Sequence, residues 1–135
     1  IKDLSFENPN VGKIQIKEGE SPAVSLEVNV EAQRLGPDVY ESAIMFTATA
    51  SHTGGTIYVL EINYGGAFRL QNVPPQTMEP FLLVNCPALL FPFLRRIVAD
   101  ITREGGYPPL WLDPVDFGAL YMRRQQEIAK KAEKQ

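Results

Sequence analysis

NCPALLFPFLRRIVADITREGG, residues 85–106, is the stretch of this sequence that decides the fold. Its apolar residues recur at spacings of three and four, the pattern of one face of an α-helix, and charged residues occupy the other face. The apolar face consists of Leu90, Phe93, Leu94, Ile97, Val98 and Ile101. Pro87 suits the first turn of a helix, whereas Pro92 lies further in, where a proline kinks or restarts a helix. The stretch therefore predicts a bent core helix that ends at Gly105 and Gly106.

The first half of the sequence has the alternation of apolar and polar residues that is typical of half-buried β-strands. The alternation is clearest from Val24 to Glu31 and recurs from Tyr58 to Tyr64. Turn-forming residues at 36–38 and 54–55 separate these strands, which indicates antiparallel hairpins. The pair Gly65-Gly66 is expected to break or bulge the last strand near its end.

A single domain is predicted to span residues 1–135, with strands to about residue 68, a connector at about 69–76 and helices at about 77–135. Thr77 is expected to cap a short first helix, and Asp113 the last one. These elements predict an α+β fold in which a four-stranded antiparallel sheet has helices packed on one face. The apolar surface exceeds what a chain of this length readily covers, so we expect the chain to oligomerise.

Composition argues against several classes of function. His52 and Cys86 are the only histidine and cysteine and lie far apart, so we expect no disulfide, no metal site and no catalytic triad. A net charge of −3 and a pI near 5.2 disfavour nucleic-acid binding. The sequence has no run of eighteen apolar residues and no signal-peptide pattern at its start, which predicts a cytoplasmic protein without stable membrane insertion. We therefore expect a protein that is not an enzyme and needs no cofactor.

Acidic residues are concentrated in the strand half of the sequence. Strand alternation places five of them on the same face of the predicted sheet. They are Asp3, Glu7, Glu27, Glu31 and Glu61. This pattern predicts a carboxylate-bearing surface, for which an ordinary solvated sheet face is the alternative interpretation.

Large apolar residues lie in two segments that are not predicted to have regular structure. In and beside the connector these are Phe68, Val73, Met78 and Phe81, and in the YPPLWL loop they are Tyr107, Leu110 and Trp111. If the two segments meet across the helix layer, they would line an apolar groove that accepts many sequences. The alternative is that the aromatic side chains simply fill the ends of the core.

Four further segments stand in a fixed order with the helix of residues 85–106: KDLSFENPN at 2–10, VYESAIMFTATAS at 39–51, EINYGGAF at 61–68 and LDPVDFGALYMRRQQ at 112–126. Their order and spacing resemble the SecB family of bacterial protein-export chaperones from Lys2 to about Gln126. The resemblance implies a homotetramer, built as a dimer of dimers. It also implies an ATP-independent chaperone that binds unfolded precursor proteins, keeps them competent for translocation and delivers them to the SecA motor ATPase.

The resemblance also implies roles for individual residues. SecA is expected to bind an acidic sheet face at Asp3, Glu7, Val59 and Glu61. Assembly positions of the family correspond to Leu60, Ile62 and Tyr64. Unfolded clients are expected in the groove between connector and helices. Two other functions stay open: a SecB-like chaperone dedicated to a toxin–antitoxin system, and a non-enzymatic ligand-binding or structural α+β domain.

Overall fold

Four antiparallel strands form one sheet in the structure, a computed structural model that describes residues 1–13 and 21–133. The strands are β1 (Asp3–Glu7), β2 (Ala23–Gly36), β3 (Val39–His52) and β4 (Gly55–Arg69). Their order in the sheet is β1-β4-β3-β2, so β1 and β2 are the edge strands. Two-residue turns join β2 to β3 and β3 to β4, and Asp38 has the positive φ of 59° that such a turn requires. The predicted α+β fold with an antiparallel sheet is confirmed.

The helices follow the sheet in sequence. A continuous 30-residue helix comprises α1 (Pro75–Pro80), a π-helical segment (Phe81–Asn85) and α2 (Cys86–Glu104). The last helix is α3 (Phe117–Glu133). It lies beside the edge strand β2, where the Arg124 guanidinium donates a 2.9 Å hydrogen bond to the Val30 carbonyl. The helix changes from π-helical to α-helical geometry just before Pro87. The sequence predicts a kink at Pro92, but α2 continues through Pro92 without interruption.

Both predicted helix caps are wrong. The helix of α1 already begins at Pro75, and the Thr77 hydroxyl donates a 2.9 Å hydrogen bond to the Pro74 carbonyl from inside the first turn. At α3 the cap is Asp116, because its carboxylate accepts a 3.0 Å hydrogen bond from the main-chain N–H of Ala119. Asp113 lies in the extended segment before it.

The core lies between α2 and the helix-covered face of the sheet, which we call the inner face. Its sheet side consists of Ile44, Phe46, Ala48, Leu60 and Ile62, and its helix side of Leu90, Leu94 and Val98. The sequence predicts that Phe93 belongs to the buried face of α2, but its side chain is 59% exposed. Leu89, one turn earlier, is 61% exposed. Each of them precedes a core residue by one position, and one residue is a rotation of 100° about the helix axis. Both side chains therefore lie beside the buried face of α2, on the same side of it.

Gly65 and Gly66 neither break nor bulge β4, contrary to the sequence prediction. The strand pairs with β3 in unbroken register from Val39 to Ala50, and its register shift lies at the other end, between Ala50 and Ser51. Gly66 belongs to the inner face, where a Cβ atom would lie 2.7 Å from Cδ2 of Leu90. The glycine therefore lets α2 approach the sheet closely.

The helix Pro75–Glu104 has a mean hydropathy of 1.6 in its most apolar 18-residue window. By length and composition alone it could cross a membrane, although the sequence has no uninterrupted apolar run of that length. Core helices of soluble proteins pass the same test, and one face of α2 packs against the sheet. Length and composition are therefore weak evidence for a membrane span here.

Candidate functional site

All four residues of the predicted SecA-binding set lie on the face of the sheet turned away from the helices, which we call the outer face. In the ladder between β1 and β4, Glu7 is paired with Val59, Ser5 with Glu61 and Asp3 with Asn63. Alternating residues point to opposite faces, and the neighbours Leu4 and Phe6 pack into the core. Strands lie about 5 Å apart, so Asp3, Glu7 and Glu61 form one patch. We call these three residues the acidic patch.

The acidic patch carries uncompensated negative charge. Its three side chains are exposed, and among residues 1–13 and 21–133 none of them has a cationic partner within salt-bridge distance. Glu27 extends the charge across the sheet, since it pairs with Thr47 and Thr47 pairs with Glu61. Surface charges of this kind act over about 10 Å at 0.1 M salt. The outer face therefore presents an anionic surface with half-buried Val59 as its apolar neighbour.

Glu41 differs from the acidic patch because it is paired. It lies on the outer face of β3 and accepts hydrogen bonds from the Lys2 ammonium and the Gln33 amide. The hydrogen bond from Lys2 lowers the pKa of the Glu41 carboxyl, against the opposing effect of desolvation. The two members of this pair are 39 positions apart, so local patterns in the sequence do not indicate it. The alternation along β3 predicts only that Glu41 lies on the outer face.

The residues predicted at the oligomer interface lie on the inner face. Leu60 is 0% and Ile62 2% exposed within a single chain, where both belong to the core beneath α2. Within a single chain they expose almost no surface, and their role in assembly stays a prediction. Tyr64 is half-buried against the same core. The exposed apolar side chains nearest to this layer are Leu89 and Phe93 of α2.

The predicted client residues fall into two separate groups. Phe68, Val73, Met78 and Phe81 are half-buried near the end of β4 and the start of the long helix. Met78 lines a cleft of about 750 Å³ between α1 and the adjoining ends of β2 and β3, together with Tyr40 and Leu82, and the cleft extends to Lys2 and Glu41.

Tyr107 lies at the opposite end of the sheet. Its ring centroid is 5.1 Å from that of Tyr58, and its hydroxyl donates a 2.6 Å hydrogen bond to the Asn8 side chain. Tyr58 and Phe68 are ten residues apart in β4, a distance of about 33 Å along an extended strand. A single groove formed by both loops therefore cannot include both Tyr107 and the connector residues.

The segment after Tyr107 returns along the helix layer. The Leu110 N–H donates a 2.9 Å hydrogen bond to the Thr102 hydroxyl, and half-buried Leu110 and buried Leu112 both pack into the core. Trp111, between them, points outward and is 66% exposed. The alternative in which Trp111 fills the end of the core is therefore wrong.

Reactive chemistry has little support in the described ranges. No group of three or more His, Cys, Asp or Glu side chains within them could hold a metal ion. Burial raises the pKa of the Cys86 thiol to about 11, so the thiol is protonated near neutral pH and a poor nucleophile. The surfaces described above are suited to binding.

Comparison with known proteins identifies relatives over nearly the whole chain. The family model described as SecB, preprotein translocase subunit, matches residues 1–128. The protein-export protein SecB of Azorhizobium caulinodans is 46% identical over 130 residues, which are 96% of this chain and 81% of that protein. The protein of the same name from Afipia carboxidovorans is 45% identical over 135 residues, which are 100% of this chain and 82% of that protein.

A solved structure shares the fold. It is a SecB-like chaperone of Mycobacterium tuberculosis in complex with a peptide from an antitoxin, and it superposes with a TM-score of 0.69 over 84% of each chain at 13% identity. The likeness at this identity concerns the fold alone. Together with the family model and the close relatives, the architecture leads to one conclusion: this chain belongs to the SecB family.

Proposed function

We propose that this protein is an ATP-independent chaperone for protein export. It binds unfolded precursor proteins, keeps them competent for translocation and delivers them to the SecA motor ATPase. One observation carries the proposal: the chain is 46% identical over 96% of its length to a protein named for protein export. The chemistry of its surfaces supports each part of this function.

Docking of SecA is assigned to the acidic patch together with Val59. The patch is exposed and without cationic partners in the described part of the chain. A basic surface on the motor would gain both attraction at a distance and direct ion pairs on contact. Within residues 1–13 and 21–133 the helices that pack on the sheet cover its inner face, so the motor could approach the outer face without displacing them.

Client binding is assigned to the helix layer and to the cleft at its edge, which Lys2 and Glu41 also line. Trp111 offers a large apolar surface that is exposed in the chain, and Met78 lines the cleft beside the connector. Several weak apolar contacts along one client add up to tight holding, without requiring a particular sequence. Phe68, Val73, Phe81 and Leu110 stay predicted contributors, since each is only half-buried.

Assembly into a homotetramer, as a dimer of dimers, is the third part of the proposal. Leu89 and Phe93 lie one turn apart on α2 and are exposed by 61% and 59%. A pair of large apolar residues on an otherwise packed core helix is well suited to contact a second copy. Leu60 and Ile62 would then act on assembly only through the position of α2.

A holding chaperone needs no catalytic residue, cofactor or metal, and we propose that this protein is not an enzyme and acts in the cytoplasm. Burial raises the pKa of the Cys86 thiol to about 11, and a thiol that is protonated near neutral pH is a poor nucleophile. The runner-up is a chaperone dedicated to a toxin–antitoxin pair, because the matching fold of known structure has an antitoxin peptide bound. Export is favoured, since that structure is only 13% identical to this chain. A ligand-binding or structural domain is the last alternative.

Suppression of aggregation tests the proposed holding function. We expect the protein, without nucleotide, to keep a chemically unfolded client soluble, and Trp111→Ala to weaken this activity without changing stability. Val11→Ala is the matched control, since Val11 is 70% exposed and lies outside the proposed surfaces. No suppression by the wild-type protein would refute the function, and full activity of Trp111→Ala would remove Trp111 from the client surface.

A further inference from the structure

Three hydrogen-bonded polar side chains cross the outer face at one end of the acidic patch. Glu41 of β3 accepts hydrogen bonds at one carboxylate oxygen from Gln33 of β2, at 3.1 Å, and from the Lys2 ammonium. Lys2 directly precedes β1, which lies two strands away from β3 in the sheet. The Lys2 side chain therefore has to pass over β4 to reach Glu41.

Gly65 provides the path over β4. A Cβ atom at this position would lie 3.0 Å from Cδ of Lys2 and 3.5 Å from its Cγ. Any larger residue would push the Lys2 methylenes away from the sheet. The main chain of Lys2 is held as well, because its N–H donates a 2.7 Å hydrogen bond to the Asn63 carbonyl. Both the backbone and the side chain of Lys2 are therefore fixed on the sheet.

This arrangement controls where the Lys2 charge lies. Lys2 is the sequence neighbour of Asp3, and a lysine side chain is a flexible stem that ends in a point charge. If it were free, the ammonium could neutralise Asp3, the first carboxylate of the acidic patch. Pairing with Glu41 instead directs the ammonium across Gly65, away from the patch.

We propose that Lys2 and Glu41 are positioning residues for the acidic patch. The pair fixes the start of β1 and withdraws a neighbouring cation, so that a basic protein surface meets carboxylates that are ordered and have no cationic partner among the described residues. This inference rests on the proposed docking function of the outer face. It adds two residues that do not themselves contact the partner.

Substitution of Lys2 separates positioning from simple charge attraction, because the two give opposite signs. Lys2→Met makes the protein more negative, so charge attraction alone predicts tighter binding to a basic partner. Positioning predicts weaker binding, by about twofold to fivefold, since Asp3 must be ordered on association. Lys2→Arg retains the ion pair and should keep the wild-type affinity.

Glu41→Gln provides the second test, with Glu31→Gln as its matched control. Both variants lose one negative charge from the outer face, but Glu31 has no ion-pair partner among the residues that the structure describes. We expect Glu41→Gln to weaken binding by about threefold to tenfold and Glu31→Gln by less than about twofold. The double variant of Lys2→Met with Glu41→Gln should lose no more binding free energy than the sum of the losses in the two single variants.

The experiment is titration calorimetry of these variants against purified SecA at fixed low salt, with Glu61→Lys as reference. Thermal unfolding of each variant confirms that it is folded. Weaker binding of Lys2→Met, with an undiminished dependence on salt, supports the inference. Equal or tighter binding of Lys2→Met, while Glu61→Lys binds weakly, would overturn it and leave the docking face intact. Unchanged binding of Glu61→Lys would overturn the docking function and this inference together.

Discussion

The Ser42 hydroxyl of β3 donates a 2.8 Å hydrogen bond to the main-chain carbonyl of Leu82 in the π-helical segment. In π-helical geometry each carbonyl accepts from the N–H five residues later, as Phe81 does from Cys86. The corresponding donor for Leu82 would be residue 87, which is a proline and has no N–H. Ser42 therefore replaces the hydrogen bond that Pro87 cannot provide, and both partners are buried.

Ser42→Ala is expected to lower the free energy of unfolding by about 1 to 3 kcal/mol, because a buried carbonyl loses its donor. Urea-induced unfolding followed by circular dichroism measures the change. Ser25→Ala, an exposed position on β2, is the control and should change stability by less than about 0.5 kcal/mol. Equal stability of the two variants would show that water or a shifted helix replaces the hydroxyl.

The close contact between Gly105 and Phe6 leads to a second prediction. A Cβ atom at Gly105 would lie 2.6 Å from both Cε1 and Cζ of the Phe6 ring, which packs against Tyr58 and Tyr107. We expect Gly105→Ala to cost about 1 to 3 kcal/mol, since the ring cluster has to move. Gly36→Ala, with nothing within 4 Å, is the control. Combining Gly105→Ala with Phe6→Leu should cost less than the sum of the single changes, and strict additivity would contradict the proposed clash.

The faces of the sheet could be predicted from the sequence because they depend only on a period of two. The alternation from Tyr58 to Tyr64 correctly separates Glu61 from its neighbours Leu60 and Ile62. Charge placement on the outer face follows from the same period. The acidic patch is therefore the part of the candidate site that local sequence reasoning could find.

Contacts between distant residues could not be predicted. The sequence predicts that Gly66 breaks its strand, whereas in the fold Leu90, 24 positions later, packs on it. The π-helical segment accepts a hydrogen bond from Ser42, which is 40 residues from Leu82. The location of Tyr107 depends likewise on Phe6 and Tyr58. For this reason the sequence predicted one groove for Tyr107 and the connector residues, which the fold keeps at opposite ends of β4.

The ion pair of Glu41 predicts a dependence of stability on pH. Lys2 lowers the folded-state pKa of Glu41 below its ordinary value of 4.5, so the pair stabilises the fold above that pH. The contribution is lost as the pH falls through the lowered folded value. Because Lys2 is partly exposed, we expect wild type to exceed Glu41→Gln at pH 7 by only about 0.2 to 1 kcal/mol. Urea unfolding from pH 7 down to pH 2 should show the difference disappear, and a constant difference would contradict the ion-pair origin.

Assembly is expected to depend on the exposed side of α2. Light scattering after size exclusion should give the mass of four 15.1 kDa chains for the wild type. Phe93→Glu should yield a smaller species that is still folded, because burying an unpaired charge in an apolar contact is unfavourable. Met122→Glu, at an equally exposed position on α3, is the control and should stay tetrameric. A wild-type monomer at micromolar concentration would refute the proposed assembly.

We propose that motor docking at the acidic patch and client binding use separate surfaces of one small domain. Titration calorimetry of Glu61→Lys against purified SecA, beside the same titration with an unfolded client, tests this separation. We predict that Glu61→Lys loses affinity for SecA, by more than Glu61→Gln does, because like charges then face each other. Client affinity should be unchanged. Wild-type affinity for SecA, or an equal loss of SecA and client binding, would contradict a separate docking face.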